Sequence, residues 1–290
     1  MLLNLAKILA PAVDGGYSVA CFNVFGWEDA HAVVDAAIEL RAPVILAVNL
    51  DFRRFMPIDA ICVMLRSLAE SAPVPVCVHL DHTYDVAEVL RAVDLGFTSV
   101  MYDGSQLTLE ENIAGSLRVA QYAHAAGCSV EAEIGSVPYA EGRAHIKSEL
   151  TEVGDAVRFA QESRIDAMAV SVGNVHRLQR PGATIDFARL AQIEASVKVP
   201  LVIHGTSGLF DQDIVRLART RIAKFNIGTV LRQAFGRGLR ETLARYPDRF
   251  DRLEIMRDAM PVVSHEAMRM ISLLGWRQGT TDRCARSRGP

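Results

Sequence analysis

Val76-Cys77-Val78-His79-Leu80-Asp81-His82, then the amphipathic stretch Asp85–Asp94, then Ser99-Val100-Met101-Tyr102, form one strand, helix, strand unit in consecutive sequence. A short apolar run, a segment of helical period and a second apolar run imply two parallel strands joined by a crossover helix. Working outward, the same alternation occurs eight times. The strand-like runs are Val19–Val24, Val44–Val48, Val76–Leu80, Ser99–Tyr102, Ser129–Ile134, Ala167–Val172, Leu201–Ile203 and Ala223–Ile227. Between them lie helical patterns such as Asp29–Leu40, Leu109–Ala126 and Phe187–Ala195. Eight such units close into an α/β fold, the (β/α)8 TIM barrel. An open doubly wound sheet would have fewer strands and a Gly-rich first turn, and no GxGxxG follows the first run. Pro247–Leu274 carries helical periodicity past the eighth unit and predicts extra C-terminal helices. The expectation is one barrel domain over residues 1–276 and a polar tail over 277–290.

The composition allows a large core, since half of the 290 residues are apolar. A formal net charge of −3 provides no basic field for nucleic acid. No run of about eighteen apolar residues predicts a membrane span. Leu2, Leu5, Ile8 and Leu9 recur at helical spacing around Asn4 and Lys7, which reads as an amphipathic first helix, not a leader. Cys21, Cys62, Cys77, Cys128 and Cys284 are odd in number and contain no CxxC pair, as expected of free thiols in a reducing cytoplasm.

Three histidines end three of the strand runs: His82, His176 in Val172-Gly173-Asn174-Val175-His176, and His204 in Leu201-Val202-Ile203-His204-Gly205. The C-terminal strand ends of a barrel form one rim, so these distant residues are expected to meet there. Three imidazoles supply nitrogens that suit Zn²⁺ and leave a coordination position open, which is a catalytic arrangement. His31, His124, His145 and His265 lie in helix-like or loop sequence and read as ordinary surface residues.

Seven motifs stand in register around these histidines: Phe22-Asn23-Val24, His79-Leu80-Asp81-His82, Gly96–Met101 leading to Asp103-Gly104-Ser105, Glu131-Ala132-Glu133-Ile134-Gly135, Gly173-Asn174-Val175-His176, His204-Gly205-Thr206-Ser207-Gly208 and Lys224-Phe225-Asn226-Ile227-Gly228-Thr229. In them the sequence resembles the class II, zinc-dependent ketose-bisphosphate aldolases, the fructose- and tagatose-bisphosphate family, over about residues 15 to 235. The resemblance implies reversible cleavage of a ketose phosphate to dihydroxyacetone phosphate and an aldehyde. Zinc on His82, His176 and His204 would act as the Lewis acid, in place of the Schiff-base lysine of the other aldolase class. Asp81 would be the acid/base at the bond that breaks. Glu141, in the loop Tyr139–Arg143, would exchange the proton on dihydroxyacetone phosphate. Glu133 would support the metal or hold it in an alternative position, and Asp103 and Ser105 would lie near the site. Asn23, Gly205, Ser207, Asn226, Gly228 and Thr229 would bind the substrate and its phosphate, with Arg177 and Arg180 supplying cations. A monovalent cation, Na⁺ or K⁺, a cytoplasmic location and a homodimer or homotetramer are further implications of the resemblance.

Strand alternation points neighbouring residues to opposite faces, so the third strand must end or twist at Asp81-His82 for both to serve one pocket. Departures from the family pattern cluster at the far end of the substrate. Asn49 stands where the family has a phosphate-binding serine, and Asp251-Arg252-Leu253 where it has Asp-Pro-Arg. Asp51 nearby disfavours a distal phosphate, although Arg53, Arg54 or Arg252 could compensate. The expected substrate therefore carries one phosphate, on the dihydroxyacetone end. The alternatives are fructose or tagatose 1,6-bisphosphate cleavage with a redrawn distal site, a zinc hydrolase, and a catalytically silent sugar-phosphate-binding subunit. No His-x-His pair supports the hydrolase, and a silent protein need not keep the histidines together with Asp81.

Overall fold

Eight parallel strands close on themselves in sequence order, β1 Val19–Asn23, β2 Val44–Val48, β3 Val76–Thr83, β4 Ser99–Tyr102, β5 Ser129–Ile134, β6 Ala167–Val170, β7 Leu201–Ile203 and β8 Ile222–Ile227, with β8 pairing back to β1. This is the expected (β/α)8 barrel. The computed structural model describes residues 1–140 and 148–277. Every strand residue is buried, because helices cover the outside while side chains fill the inside. Strands buried on both faces read as continuous apolar runs, which is why the sequence shows them so clearly.

The helices around the barrel are α1 Leu5–Gly15, α2 Trp27–Leu40, α3 Leu50–Phe55, α4 Ile58–Ser71, α5 Val86–Leu95, α6 Leu109–Ala125, α7 Val153–Ser163, α8 Phe187–Ser196, α9 Asp211–Leu217, α10 Thr229–Arg245 and α11 Arg252–Leu273. Side-chain caps fix several starts: Asp85 accepts from Ala87 N at α5, and Thr108 forms a capping box with Glu111 at α6. The amphipathic first helix is α1, with Leu5, Ile8, Leu9 and Ala12 buried. Burying a side chain such as Leu9 contributes about 1.5–3 kcal/mol. The extra C-terminal helix is α11, which packs on α2 and α10. No helix among the described residues is long and apolar enough to cross a membrane.

Two strand ends differ from the sequence reading by more than one residue. β6 stops at Val170 instead of Val172, because the Asn174 side chain accepts from Val172 N (2.9 Å) and takes that donor out of the ladder. β3 runs on to Thr83 instead of stopping at Leu80, and a bulge makes this possible. Leu80 pairs with Val100 and Thr83 with Tyr102, so one extra residue is accommodated on β3.

Candidate active site

The β3 bulge answers the alternation problem at Asp81-His82. His82 adopts a left-handed backbone with φ of 40°, which turns the chain so that both side chains line one cleft. Arg53 of α3 collects carbonyls at the end of β2 and in the β3 bulge. Its guanidinium donates to the carbonyls of Val48 (3.1 Å), Asp81 (3.0 Å) and His82 (3.2 Å), and its Nε donates to Glu88 (2.9 Å). Arg53 is thus part of the scaffold, and its expected reach toward a displaced phosphate does not occur. His176 is held by main-chain bonds to the preceding loop, His176 N to Pro138 O (2.8 Å) and Ala140 N to His176 O (3.0 Å). Asn174 Nδ2 donates to His204 O (3.0 Å) and ties the ends of β6 and β7 together.

The three imidazoles converge. Ring centroids of His82 lie 5.0 Å from His176 and 4.6 Å from His204, and those of His176 and His204 are 5.7 Å apart. With Glu133 they offer four ligand atoms that lie within 4.8 Å of one another. His82 Nδ1 bonds Asp103 Oδ2 (2.7 Å), which leaves Nε2 buried with no partner. His204 is gripped by Glu131 at Nε2 (3.0 Å) and by Glu133 at Nδ1 (2.9 Å). Carboxylates behind two of the imidazoles are the arrangement that orients histidines for a metal, and the orphaned Nε2 needs an electrophile. The donor set therefore fits a divalent cation. The electrostatics agree. Burial opposes positive charge on His82, yet the Asp81 carboxylate and the Asp103 bond outweigh it and raise its affinity for a proton well above the usual range. Burial and the neighbouring imidazoles keep His176 well below that range, as a neutral donor. At Asp81 burial pushes the carboxyl up, but His82, His204 and Lys224 overcome it and leave the group below the usual carboxylate range.

The cleft over this cluster gathers most of the residues the sequence singled out: Asn23, Asn49, Asp81, His82, His176, Arg177, Gly205, Ser207, Asn226, Gly228 and Thr229. Asp103, Ser105 and Glu133 line a small adjoining cavity with His82 and His176. One wall has the backbone features of an anion cradle. Gly205 is left-handed (φ 72°), and a Cβ there would lie 2.3 Å from the Val175 carbonyl, so the turn demands glycine. Ser207 follows it, and α10 starts at Thr229 with no side-chain cap, presenting free N–H groups and a positive dipole end to the cleft. Arg180 is exposed and does not line the cleft. Glu141 lies outside the described residues.

The sequence matches the class II fructose-bisphosphate aldolase family over residues 3–278. The chain belongs to this family. It is similar to the YdjI aldolase of Escherichia coli K12, with 30% identity, a TM-score of 0.83, and 97% of this chain and 100% of that one covered. The fold is shared with a putative fructose-1,6-bisphosphate aldolase from Coccidioides immitis (22% identity, TM-score 0.85, 96% and 98% covered). It is also shared with a fructose-bisphosphate aldolase from Campylobacter jejuni (23%, 0.82, 95% and 96%). This aldolase is a carbon–carbon lyase of carbohydrate metabolism with a candidate site for a divalent metal.

Beneath the histidines of this aldolase runs a buried polar chain that the motif reading did not single out. Glu131 Oε2 lies 2.8 Å from Lys224 Nζ, Lys224 Nζ donates to Asn226 Oδ1 (2.5 Å), and Asn226 Nδ2 donates to Asp81 Oδ1 (2.9 Å). His204, Glu131, Lys224, Asn226 and Asp81 are therefore one continuous network. Burial pushes Glu131 up, but the Lys224 ammonium and the His204 bond hold it at about 2. At Lys224 burial works against the charge, and the surrounding acidic groups more than restore it, so the amine stays protonated and is no nucleophile. A signal for this network existed. Glu131 and Glu133, like Lys224 and Asn226, are two apart on a strand and must share its inner face.

The cleft also contains Asp51, which the sequence placed near the far end of the substrate, and Leu50, Tyr84, Tyr139, Thr206 and Arg232, to which it gave no role. Asn49 caps α3, accepting from Phe52 N (3.2 Å), and so sets Asp51 in the first turn. Asp51 Oδ2 pairs with Arg177 Nη2 at 2.7 Å. Arg177 follows His176 with φ of 58°, a left-handed conformation that costs an L-residue roughly 1–2 kcal/mol. Its guanidinium sits 5.5 Å from the Tyr139 ring, which stacks on His176 at 4.6 Å. Leu253 is exposed in the first turn of α11, and Arg252 pairs with Glu28, so neither reaches the cleft.

Proposed function

We propose that this aldolase is zinc-dependent and reversibly cleaves a ketose 1-phosphate to dihydroxyacetone phosphate and an aldehyde without a distal phosphate. The observation that carries this reading is the asymmetry of the cleft. One wall is a backbone anion cradle at Gly205, Ser207 and the start of α10, whereas the expected distal cations are committed elsewhere or absent. Arg53 is spent on the bulge carbonyls, Arg252 on Glu28, and Arg54 is exposed outside the cleft lining.

His82, His176 and His204 would hold the zinc, with Glu133 as a supporting or alternative ligand. Bound zinc would supply Lewis-acid stabilisation of the negative charge that develops as the carbon–carbon bond breaks. Asp81 takes the proton from the hydroxyl on the aldehyde side. Its Oδ1 is fixed by Asn226, leaving Oδ2 for the substrate. Held below the usual carboxylate range, the group is ionised, the form in which it can accept that proton. Asp103 orients His82. Glu141 is assigned the proton exchange on dihydroxyacetone phosphate. Asn23 and Asn226 hold substrate hydroxyls, and Gly228 and Thr229 belong to the phosphate end, which Arg180, exposed outside the cleft lining, does not reach. A monovalent cation (Na⁺ or K⁺), a homodimer or homotetramer and a cytoplasmic setting complete the reading.

A second reading, cleavage of fructose or tagatose 1,6-bisphosphate, draws on Arg177 and Arg232, the guanidinium groups that line the cleft. Steady-state kinetics on ketose 1-phosphates and 1,6-bisphosphates separate the two, run with zinc and after chelation. The proposal expects activity lost on chelation, restored by zinc, and a higher kcat/KM for at least one 1-phosphate. A 1,6-bisphosphate well ahead of every 1-phosphate would instead establish the second reading.

A further inference from the structure

The ion pair between Asp51 and Arg177 joins opposite sides of the barrel. Asp51 follows β2 and Arg177 follows β6, four strands apart in the closed ring, so the pair spans the mouth of the cleft. Both side chains are partly solvated, at 25% for Arg177 and 34% for Asp51, and an ion pair of that exposure adds little to folding. Arg177 nevertheless keeps a left-handed backbone that disfavours it. Both groups line the cleft, and Tyr139 and His176 fix the guanidinium relative to the metal cluster. The pair is thus placed for recognition more than for stability.

We propose that Asp51 and Arg177 together determine the charge class of the aldehyde that this aldolase accepts, selecting uncharged polyhydroxy aldehydes. The inference rests on the reading that the phosphate end lies at the Gly205 and α10 cradle. With that end seated there, the other half of the substrate meets Asn49, Asp51 and the guanidinium of Arg177, which the sequence placed at the phosphate end and which pairs with Asp51 instead. Paired, the carboxylate and guanidinium present acceptors and donors with no net charge, which suits hydroxyl groups. A phosphate dianion has to displace Asp51 from Arg177 and then remain beside its negative charge. Asp51 is therefore the excluding element, and Arg177 is a phosphate-binding group held in check.

The prediction is a gain of function. In the condensation direction, dihydroxyacetone phosphate is offered with glyceraldehyde or with glyceraldehyde 3-phosphate. Asp51→Asn is expected to raise the ratio of kcat/KM for the phosphorylated over the unphosphorylated aldehyde by at least about tenfold, within the range a charge-assisted contact supplies. Adding Arg177→Met to Asp51→Asn is expected to cancel that gain. An unchanged ratio in Asp51→Asn, with the parent active, overturns the role of the pair and leaves the aldolase reading intact. A gain that survives Arg177→Met also overturns it, since another cation would then be responsible. A parent inert with both aldehydes overturns the inference together with the substrate reading on which it rests.

Discussion

The floor of the cleft and its rim are built on different principles. On the floor, charged and polar groups stand on strand ends, are buried, and are joined from His204 through Glu131, Lys224 and Asn226 to Asp81. On the rim, Asp51 in the short helix α3 and Arg177 in the segment after β6 are partly solvated and pair with each other. The difference separates two tasks. Groups that must hold a metal and move a proton at fixed geometry need a network that cannot relax, and a barrel interior provides one. Groups that choose among substrates can be exchanged without dismantling the barrel, so they sit on loops.

If this division holds, substitutions on the floor should cost far more than those on the rim. The largest effect is expected for Asp81→Asn, which keeps shape and metal ligands but removes the acid/base. Carbon–carbon cleavage should fall by roughly a hundred- to ten-thousandfold with bound zinc unchanged. Turnover within a few fold of the parent would break the assignment. Next comes Lys224→Met, which leaves Glu131 buried without its cation and should lower stability by about 3–5 kcal/mol in urea unfolding. A loss below about 1 kcal/mol would mean the floor relaxes as readily as the rim. The smallest effect is expected for Arg177→Gly. Relief of the left-handed backbone and loss of a partly solvated ion pair nearly offset each other, so stability should stay within about 1 kcal/mol of the parent. A larger change in either direction would make the pair a structural element.

The barrel was legible because its strands are buried on both faces, so runs such as Val44–Val48 and Leu201–Ile203 announce themselves without periodicity. The metal histidines were legible for a related reason: each follows such a run. An irregularity at Asp81-His82 was legible from strand alternation, but its form was not, since nothing in Leu80-Asp81-His82-Thr83 reveals that the strand continues through a bulge with His82 left-handed. Arg53 was one of three arginines that could have compensated at the distal end, and only the structure shows it bound to main-chain carbonyls of Val48, Asp81 and His82. Asp51 was visible as a negative charge near the far end of the substrate, but its pairing with Arg177 joins strand ends four apart in the ring and cannot be read along the chain. Glu131 and Lys224 were visible as letters, but their pairing depends on strands three apart in the ring and cannot be read along the chain.

Arg53 has a consequence beyond its hydrogen bonds. It belongs to the short helix that carries Asp51, yet it grips the main chain of Asp81 and His82. Rim and metal site therefore share a mechanical lever. A displacement of α3 would be carried by Arg53 to the main chain of His82, and the reverse. Were an aldehyde and an ion each to bias that contact, thermodynamic linkage would require each to alter the other's affinity by the same factor.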